Sequence, residues 1–205
     1  MPLHPYSTDV TRPRKALLVL AVGAILLAWG FGQVLSMLHV TAPWWLDTPA
    51  VFGFFGLLWQ LYDRFLWCLG SAGSTLSGVP NFAGTWNGTV SSSFGHSRTY
   101  PASLVIRQTS ARMVVELRTP NSRSYSHLAM VCASPGPDQG LQYLYANRPN
   151  EGAEPAMQRH GGTAYLQLSR DGRTLIGGYQ NDRFRSTHGT LHFVRGDSEP
   201  RGAVA

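Results

Sequence analysis

Residues 16–38, ALLVLAVGAILLAWGFGQVLSML, run for 23 positions without a charged side chain, and no other stretch limits the fold as strongly. At about 1.5 Å per residue, a helix of this length covers the roughly 30 Å hydrocarbon core of a bilayer. Arg12, Arg14 and Lys15 stand directly before it, which assigns the N-terminal segment, residues 1–15, to the cytoplasm. A secretory signal peptide is the rival reading. Its apolar region would be shorter, no small-x-small cleavage site follows, and a second apolar segment comes almost at once. That segment, residues 50–69, follows a short periplasmic loop over 39–49 that holds Pro43, Trp44 and Trp45, and paired tryptophans suit the interfacial belt. It is the weaker span, because Gln60, Asp63 and Arg64 fall in its second half. Two crossings return the chain to the side it left, so the remainder is expected in the cytoplasm.

Composition changes sharply after the second span. Residues 16–69 hold only three charged side chains, Asp47, Asp63 and Arg64. From residue 80 onward there are 13 Arg against 8 Asp or Glu, so most of the formal charge of +6 lies there. Two readings of the arginines stay open: a genomic preference over lysine, or guanidinium forks set against phosphate. Cys68 and Cys132 fall in different segments, so no disulfide is expected, in keeping with a reducing compartment. No CxxC or Cys/His cluster supports a metal. Residues 70–80, GSAGSTLSGVP, read as a flexible linker, and 197–205 as a disordered tail.

Between them, residues 81–196 show eight segments with strand composition or period-two alternation: 83–93, 100–108, 111–119, 123–133, 139–147, 161–170, 173–182 and 187–195. Thr109-Ser110, Pro120-Asn121 and Asp171-Gly172 mark hairpins, the last as a type I′ candidate. No intervening segment could form a crossover helix. The expected fold is therefore all-β and membrane-anchored: two transmembrane helices, then a small antiparallel up-and-down barrel of about eight strands, with a small sandwich as the alternative.

Phase along the strands separates interior from exterior. Leu104, Ile106 and Gln108 share a face, as do Met113, Val115 and Leu117, then Ala164, Leu166 and Leu168, then Gly189, Leu191 and Phe193. Two strands begin apolar and end polar and aromatic on the same side: Leu141, Tyr143, Tyr145, Asn147, and Leu175, Gly177, Tyr179, Asn181 with Arg183 next in phase. These are either core tyrosines whose hydroxyls reach a barrel mouth, or a pocket at one end of the barrel. In the second case aromatic faces would stack bases and an arginine would meet phosphate. The pocket residues expected to converge are Gln108, Tyr143, Tyr145, Asn147, Tyr179 and Arg183. Trp86 is expected to close the opposite end. Ala24, Ala28 and Gly32, four apart, line one face of the first helix at a spacing that lets helix backbones approach closely in lipid.

The order of several fragments resembles a known family. These are Asp63-Arg64-Phe65-Leu66-Trp67 closing the second span, Gly84-Thr85-Trp86-Asn87-Gly88 opening the barrel, and Tyr143-Leu144-Tyr145-Ala146-Asn147-Arg148-Pro149. His160-Gly161-Gly162 and Leu175-Ile176-Gly177-Gly178-Tyr179 follow, with Arg183 and Gly189 behind them. From about residue 12 to 195 the chain is similar to the two-transmembrane, β-strand-rich effectors of bacterial cyclic-oligonucleotide antiphage signalling (CBASS). The resemblance implies that the barrel binds a cyclic dinucleotide made by a partner nucleotidyltransferase (a CD-NTase). Binding would drive homo-oligomerisation and disrupt the lipid membrane, giving abortive infection. It also implies structural parts for Gly84, Trp86 and Gly189, with no cofactor and no DNA or RNA polymer as partner.

An enzyme is the second hypothesis. It would need convergent carboxylates or a paired histidine. The carboxylates after residue 80 fall mostly in turns or outward positions, and His127, His160, His188 and His192 show no nucleophile partner, so catalysis is not expected. A membrane-tethered, lipocalin-like binder of lipid or another small ligand is the third. It calls for an apolar lumen and a periplasmic domain, against the polar mouth and the positive-inside signal.

Overall fold

The computed structural model of the chain describes residues 1–9, 14–40, 47–69, 77–93, 98–134, 139–152, 158–182 and 187–196. It divides into two compact units, residues 11–79 and residues 1–10 together with 80–205.

The first unit is a helical hairpin. Helix α1 spans Arg14–Met37 and α2 spans Asp47–Arg64, followed by a 3₁₀ turn at Leu66–Cys68. The helices are antiparallel. Gly23 lies opposite Leu58, the rings of Phe31 and Phe54 meet edge-on at 6.0 Å, and Ala16 and Leu20 bury against Tyr62 and Trp67. Over Lys15–Met37, α1 is long and apolar enough to cross a membrane. The segment expected as a second span over 50–69 is not one helix to its end, because the helix stops at Arg64. Small residues at Ala16, Gly23 and Ala24 let the two backbones approach. Ala24 is fully buried, Ala28 half-buried and Gly32 exposed, with nothing within 4 Å of where its Cβ would be.

The second unit is a closed barrel. Its strands are β1 (His4–Pro5), β2 (Ser7–Thr8), β3 (Gly84–Ser92), β4 (Arg98–Gln108), β5 (Arg112–Arg118), β6 (Ser122–Cys132), β7 (Gly140–Pro149), β8 (His160–Leu168), β9 (Thr174–Asn181) and β10 (His188–Arg195). From β3 to β10 each strand pairs antiparallel with the next, and β10 pairs with β3 from Gly189↔Ser92 to Arg195↔Trp86, closing eight strands into a ring. Each expected strand falls on an observed one with ends displaced by no more than two residues. Alternation explains why these segments form strands: the inward residues Leu104, Ile106, Met113, Val131, Leu141, Leu166, Leu175, Leu191 and Phe193 are all buried. Closure removes the free edges that an open antiparallel sheet would expose.

One local expectation changes. The β8–β9 connection is not a two-residue type I′ turn. Ser169 N donates to Thr174 O and Gly172 N to Ser169 O, which spans a four-residue loop. Type I′ needs positive φ at both central residues, and here only Gly172 has it, at 69°. Asp171 instead accepts the Arg173 amide and the Ser169 hydroxyl, the local bonding that favours aspartate in turns.

A further feature concerns residues 1–15, for which no strand was expected. Strands β5 and β6 pair directly over only three positions, Glu116↔Tyr125, Leu117↔Ser124 and Arg118↔Arg123. Beyond them the strands fork, and residues 4–8 fill the fork. Strand β1 runs antiparallel along β5, with His4↔Met113, and β2 runs parallel along β6, with Ser7↔Met130. At the fork β6 carries a bulge against β7, at Ser126/Leu128, an irregularity of the kind that bends a strand. The barrel unit thus includes chain from both before and after the helical hairpin.

Candidate functional site in the barrel mouth

The lumen is polarised along its axis. One end is sealed by apolar bulk. Trp86 is 0% exposed, and its indole N–H donates to Phe82 O at 3.0 Å. The Arg195 guanidinium lies 4.2 Å from the Trp86 ring centroid and donates to the carbonyls of Gly172, Ala83 and Asn81 at 3.1, 2.8 and 3.1 Å. This is a charge held by dipoles and an aromatic face, and desolvation pulls its pKa down. Gly84 enters β3 at φ 140°, a backbone conformation that strongly favours glycine.

The other end is open, hydroxyl-rich and aromatic. A cavity of about 100 Å³ is lined by Tyr100, Tyr143, Tyr145, Tyr179, Asn147, Asn181 and His160, with Ser92, Thr119, Ser122, Ser124 and Thr187 around them. Apart from Tyr143, deeper in β7, they lie at or beside the ends of odd-numbered strands or the starts of even-numbered ones, so an up-and-down ring brings them to one mouth.

The site is ordered by a short bonded chain. The Tyr145 hydroxyl donates to Asn181 Oδ1 at 2.6 Å, and Asn181 Nδ2 donates to Thr187 Oγ1. The rings of Tyr143 and Tyr145 sit 6.1 Å apart, inclined by 53°. Glycines make room for this crowding: a Cβ at Gly162 would stand 2.6 Å from the Tyr145 hydroxyl, and one at Gly189 would stand 2.5 Å from the Tyr179 ring. Burial raises the pKa of both Tyr143 and Tyr145, and Tyr143, Tyr179 and Asp182 add to the effect on Tyr145. Both phenols are therefore neutral, able to donate as well as accept. Among the described lining residues there is no carboxylate. The Asp182 carboxylate stands beside this lining, accepting from Gly161 N at 3.0 Å, so the mouth offers neutral donors and acceptors suited to a guest with polar edges.

Of the residues expected to converge, Tyr143, Tyr145, Asn147 and Tyr179 line this mouth. Arg183 lies outside the described residues, one position beyond Asp182 in the β9–β10 connection. Gln108 is a correction. It faces inward but sits at the sealed end, where its side chain accepts from Phe82 N at 2.9 Å and donates to Pro80 O at 3.2 Å. Strand β4 runs opposite to β7 and β9 in direction relative to the mouth in its residue order, so its last residue lies where theirs begin. Tyr100, in phase with Gln108 at the other end of β4, is the residue that reaches the mouth, and phase together with alternating strand direction would have found it.

A second concavity, about 930 Å³, runs along the outer wall of β6–β9 past β2. Its exposed side chains include Leu128, Met130 and Leu144, so it is an apolar surface rather than a hydrogen-bonding pocket. Among the described residues no three His, Cys, Asp or Glu side chains gather as a metal site.

A small barrel sealed at one end, whose open end presents tyrosines, amides and hydroxyls, is a receptor for a polar small molecule in form. Residues 77–195 match the family described as "Cap15, cyclic dinucleotide receptor domain", and the chain belongs to that family. It is also 32% identical over 143 residues to CD-NTase-associated protein 15 of Yersinia aleksiciae, a match covering 67% of this chain and 65% of that protein's length.

Proposed function

We propose that the barrel mouth binds a cyclic dinucleotide supplied by a partner nucleotidyltransferase, and that binding assembles copies of the chain and breaches the inner membrane of an infected cell. The observation that carries the reading is the polarised lumen in a chain of the cyclic dinucleotide receptor family. The cavity of about 100 Å³ is below the roughly 300 Å³ at which drug-sized ligand pockets begin. It therefore takes one base-sized part of the ligand, with Tyr143, Tyr145 and Tyr179 offering faces and Asn147 and Asn181 offering polar edges. The sugar–phosphate ring stays outside the cavity, and Arg183, next after Asp182 in the sequence, is the residue assigned to a phosphate. No step of bond making or breaking is assigned to any residue, and the role is sensing.

Chain connectivity supports two membrane crossings. Residues 4–8 and β3–β10 hydrogen-bond within one unit and so share one side of any membrane. If α1 crosses, the chain must cross again before Gly84, and α2 is the described helix available for the return. The basic residues ahead of α1 orient that shared side to the cytoplasm. Assembly draws on exposed apolar surface at Leu128, Met130 and Leu144 and on the open helix face at Gly32.

Calorimetric titration of the detergent-solubilised chain with cyclic di-AMP, cyclic di-GMP and cyclic AMP–GMP, paired with dye release from liposomes, tests the reading. Saturable binding lost in Tyr145→Ala, with release that depends on the bound dinucleotide, is expected. Binding untouched by Tyr145→Ala and Tyr179→Ala, or no binding by any of the three, sinks the proposed site.

A further inference from the structure

The N-terminal strands occupy a position that gives them a part beyond sealing the wall. Their anchorage is dense for so short a segment. Arg107 Nη2 donates to Met1 O at 2.6 Å, the Tyr6 hydroxyl donates to Ser110 O at 3.0 Å, and the Asp9 carboxylate accepts from Ala133 N and Ser134 N at 2.7 and 3.0 Å. At the point of the fork stands Ser126. Its hydroxyl oxygen accepts from Val115 N of β5 at 2.9 Å and lies 2.7 Å from His4 Nε2 of β1, and its backbone pairs with Tyr145 of β7. One residue therefore joins both fork strands, the N-terminal strands and the register position of a mouth tyrosine.

The fork has two ends with different neighbours. Its paired end carries Leu117, Thr119, Ser122 and Ser124, all of which line the mouth cavity. Its open end holds β1 and β2, and only residues 9–13 separate β2 from α1. On its other side the helical hairpin is joined to β3 through a longer stretch, residues 70–83, rich in Gly and Ser.

We propose that residues 4–9 are the coupling strap of the receptor: a ligand that changes the spacing of β5 and β6 at the mouth displaces the docked strap, and the strap passes that displacement along the short connection to α1. This rests on the mouth being the dinucleotide site and names how occupancy of that site is communicated. The strap stays docked throughout, because its anchors at Met1, His4, Tyr6 and Asp9 spread over its whole length. Coupling of this kind requires an element whose arrangement both sites bias, and the fork is that element.

The test slackens the connection without touching the barrel. A Gly/Ser segment of about ten residues is inserted after Val10 in the 205-residue chain, and the same segment is inserted in a second variant after Ser74, within a stretch already rich in Gly and Ser. Both are titrated with the three cyclic dinucleotides and assayed for dye release. The insertion after Val10 is expected to leave affinity within about twofold and to cut dinucleotide-dependent release by about tenfold, while the insertion after Ser74 changes release little. A disulfide between Ser7→Cys and Met130→Cys, in a background with Cys68→Ser and Cys132→Ser, is expected to preserve release because the strap need not leave the wall. Release at the wild-type level with the slack strap overturns the inference, as does a fall in affinity, which would make the strap part of the pocket, or loss of release in the cross-linked chain. A wild-type chain that binds none of the three dinucleotides fails at the mouth itself and removes both readings.

Discussion

The sealed end of the barrel offers the sharpest stability test, because one cation is held there by geometry alone. Arg195 donates to three backbone carbonyls and covers the face of Trp86, and among the described residues no carboxylate shares its contacts. Hydrogen bonds from a charged donor contribute about 1.5–3 kcal/mol each when buried. Arg195 is only half-buried, so water replaces part of that in a variant. Halving the sum and adding about 0.5–1 kcal/mol for the ring contact gives about 3–5 kcal/mol for Arg195→Ala. Arg195→Lys keeps the charge but loses the fork and the planar stack, and should cost about 1–2 kcal/mol. Trp86→Ala, at a fully buried site, should cost about 3–5 kcal/mol. For a barrel of this size, about 3 kcal/mol corresponds to a fall of about 10 °C in Tm. Near-ultraviolet circular dichroism of the detergent-solubilised chain follows the melt. The two sites should also couple, by about 0.5–1.5 kcal/mol in a Trp86→Phe, Arg195→Ala cycle. A Tm unchanged by Arg195→Ala refutes the account of how this end is held. A Trp86→Ala protein that keeps its Tm but loses dinucleotide binding would reassign Trp86 to the ligand.

Three further outcomes follow from the mouth and the hairpin. Arg183→Ala should weaken dinucleotide binding by about 2–5 kcal/mol in calorimetry if its contact with phosphate is desolvated, and unchanged affinity removes it from the site. Tyr143 and Tyr145 have folded pKa values raised by burial above the free value of about 10. The neutral form is the one the fold favours, so their contribution is complete below pH 10 and is lost as pH rises beyond it; absorbance at 295 nm should show two of the eight tyrosines ionising only as the barrel unfolds. In α1, Ala24→Leu should disrupt the hairpin itself, because Ala24 is fully buried, whereas Gly32→Leu should leave the hairpin intact and block only packing between copies. Crosslinking in membranes separates the two, and assembly unaffected by Gly32→Leu would move the contact to the outer wall near Leu128.

The barrel was legible because period-two alternation is a local property, and each strand carries enough residues to display it. The tyrosines at the ends of β7 and β9 were legible for the same reason: phase assigns a face, and two strands of equal direction repeat the pattern. Phase does not assign an end. Gln108 has the correct face at the wrong pole, because β4 runs counter to β7 and β9, and its amide is taken up by Phe82 and Pro80. Tyr100, Ser122, Ser124 and Thr187 lie at strand margins beside turns, where polar residues are ordinary and carry no pattern.

The strap was not legible at all, for a physical reason. Strands β1 and β2 have two residues each, too few for any period, and one of them contains Pro5. They are strands only because β5 and β6 diverge and leave edges that need partners, and β6 carries a bulge at His127 where the two part. The signal therefore lies more than a hundred residues from the segment whose structure it decides. A β6 with the bulge removed by deleting His127 would continue its ladder along β5 past Ser126. It would then compete with residues 4–8 for the same edge and leave the N-terminal segment undocked. It would leave the facing of the rest of β6 unchanged, because His127 and Leu128 both point outward and removing one of them keeps Leu128 and Met130 out and Ala129 and Val131 in. The deletion therefore separates the two roles of β6: the core face at Ala129 and Val131 is kept, so loss of N-terminal docking without loss of the barrel is the expected outcome, and a docked N-terminal segment in the His127 deletion refutes the account.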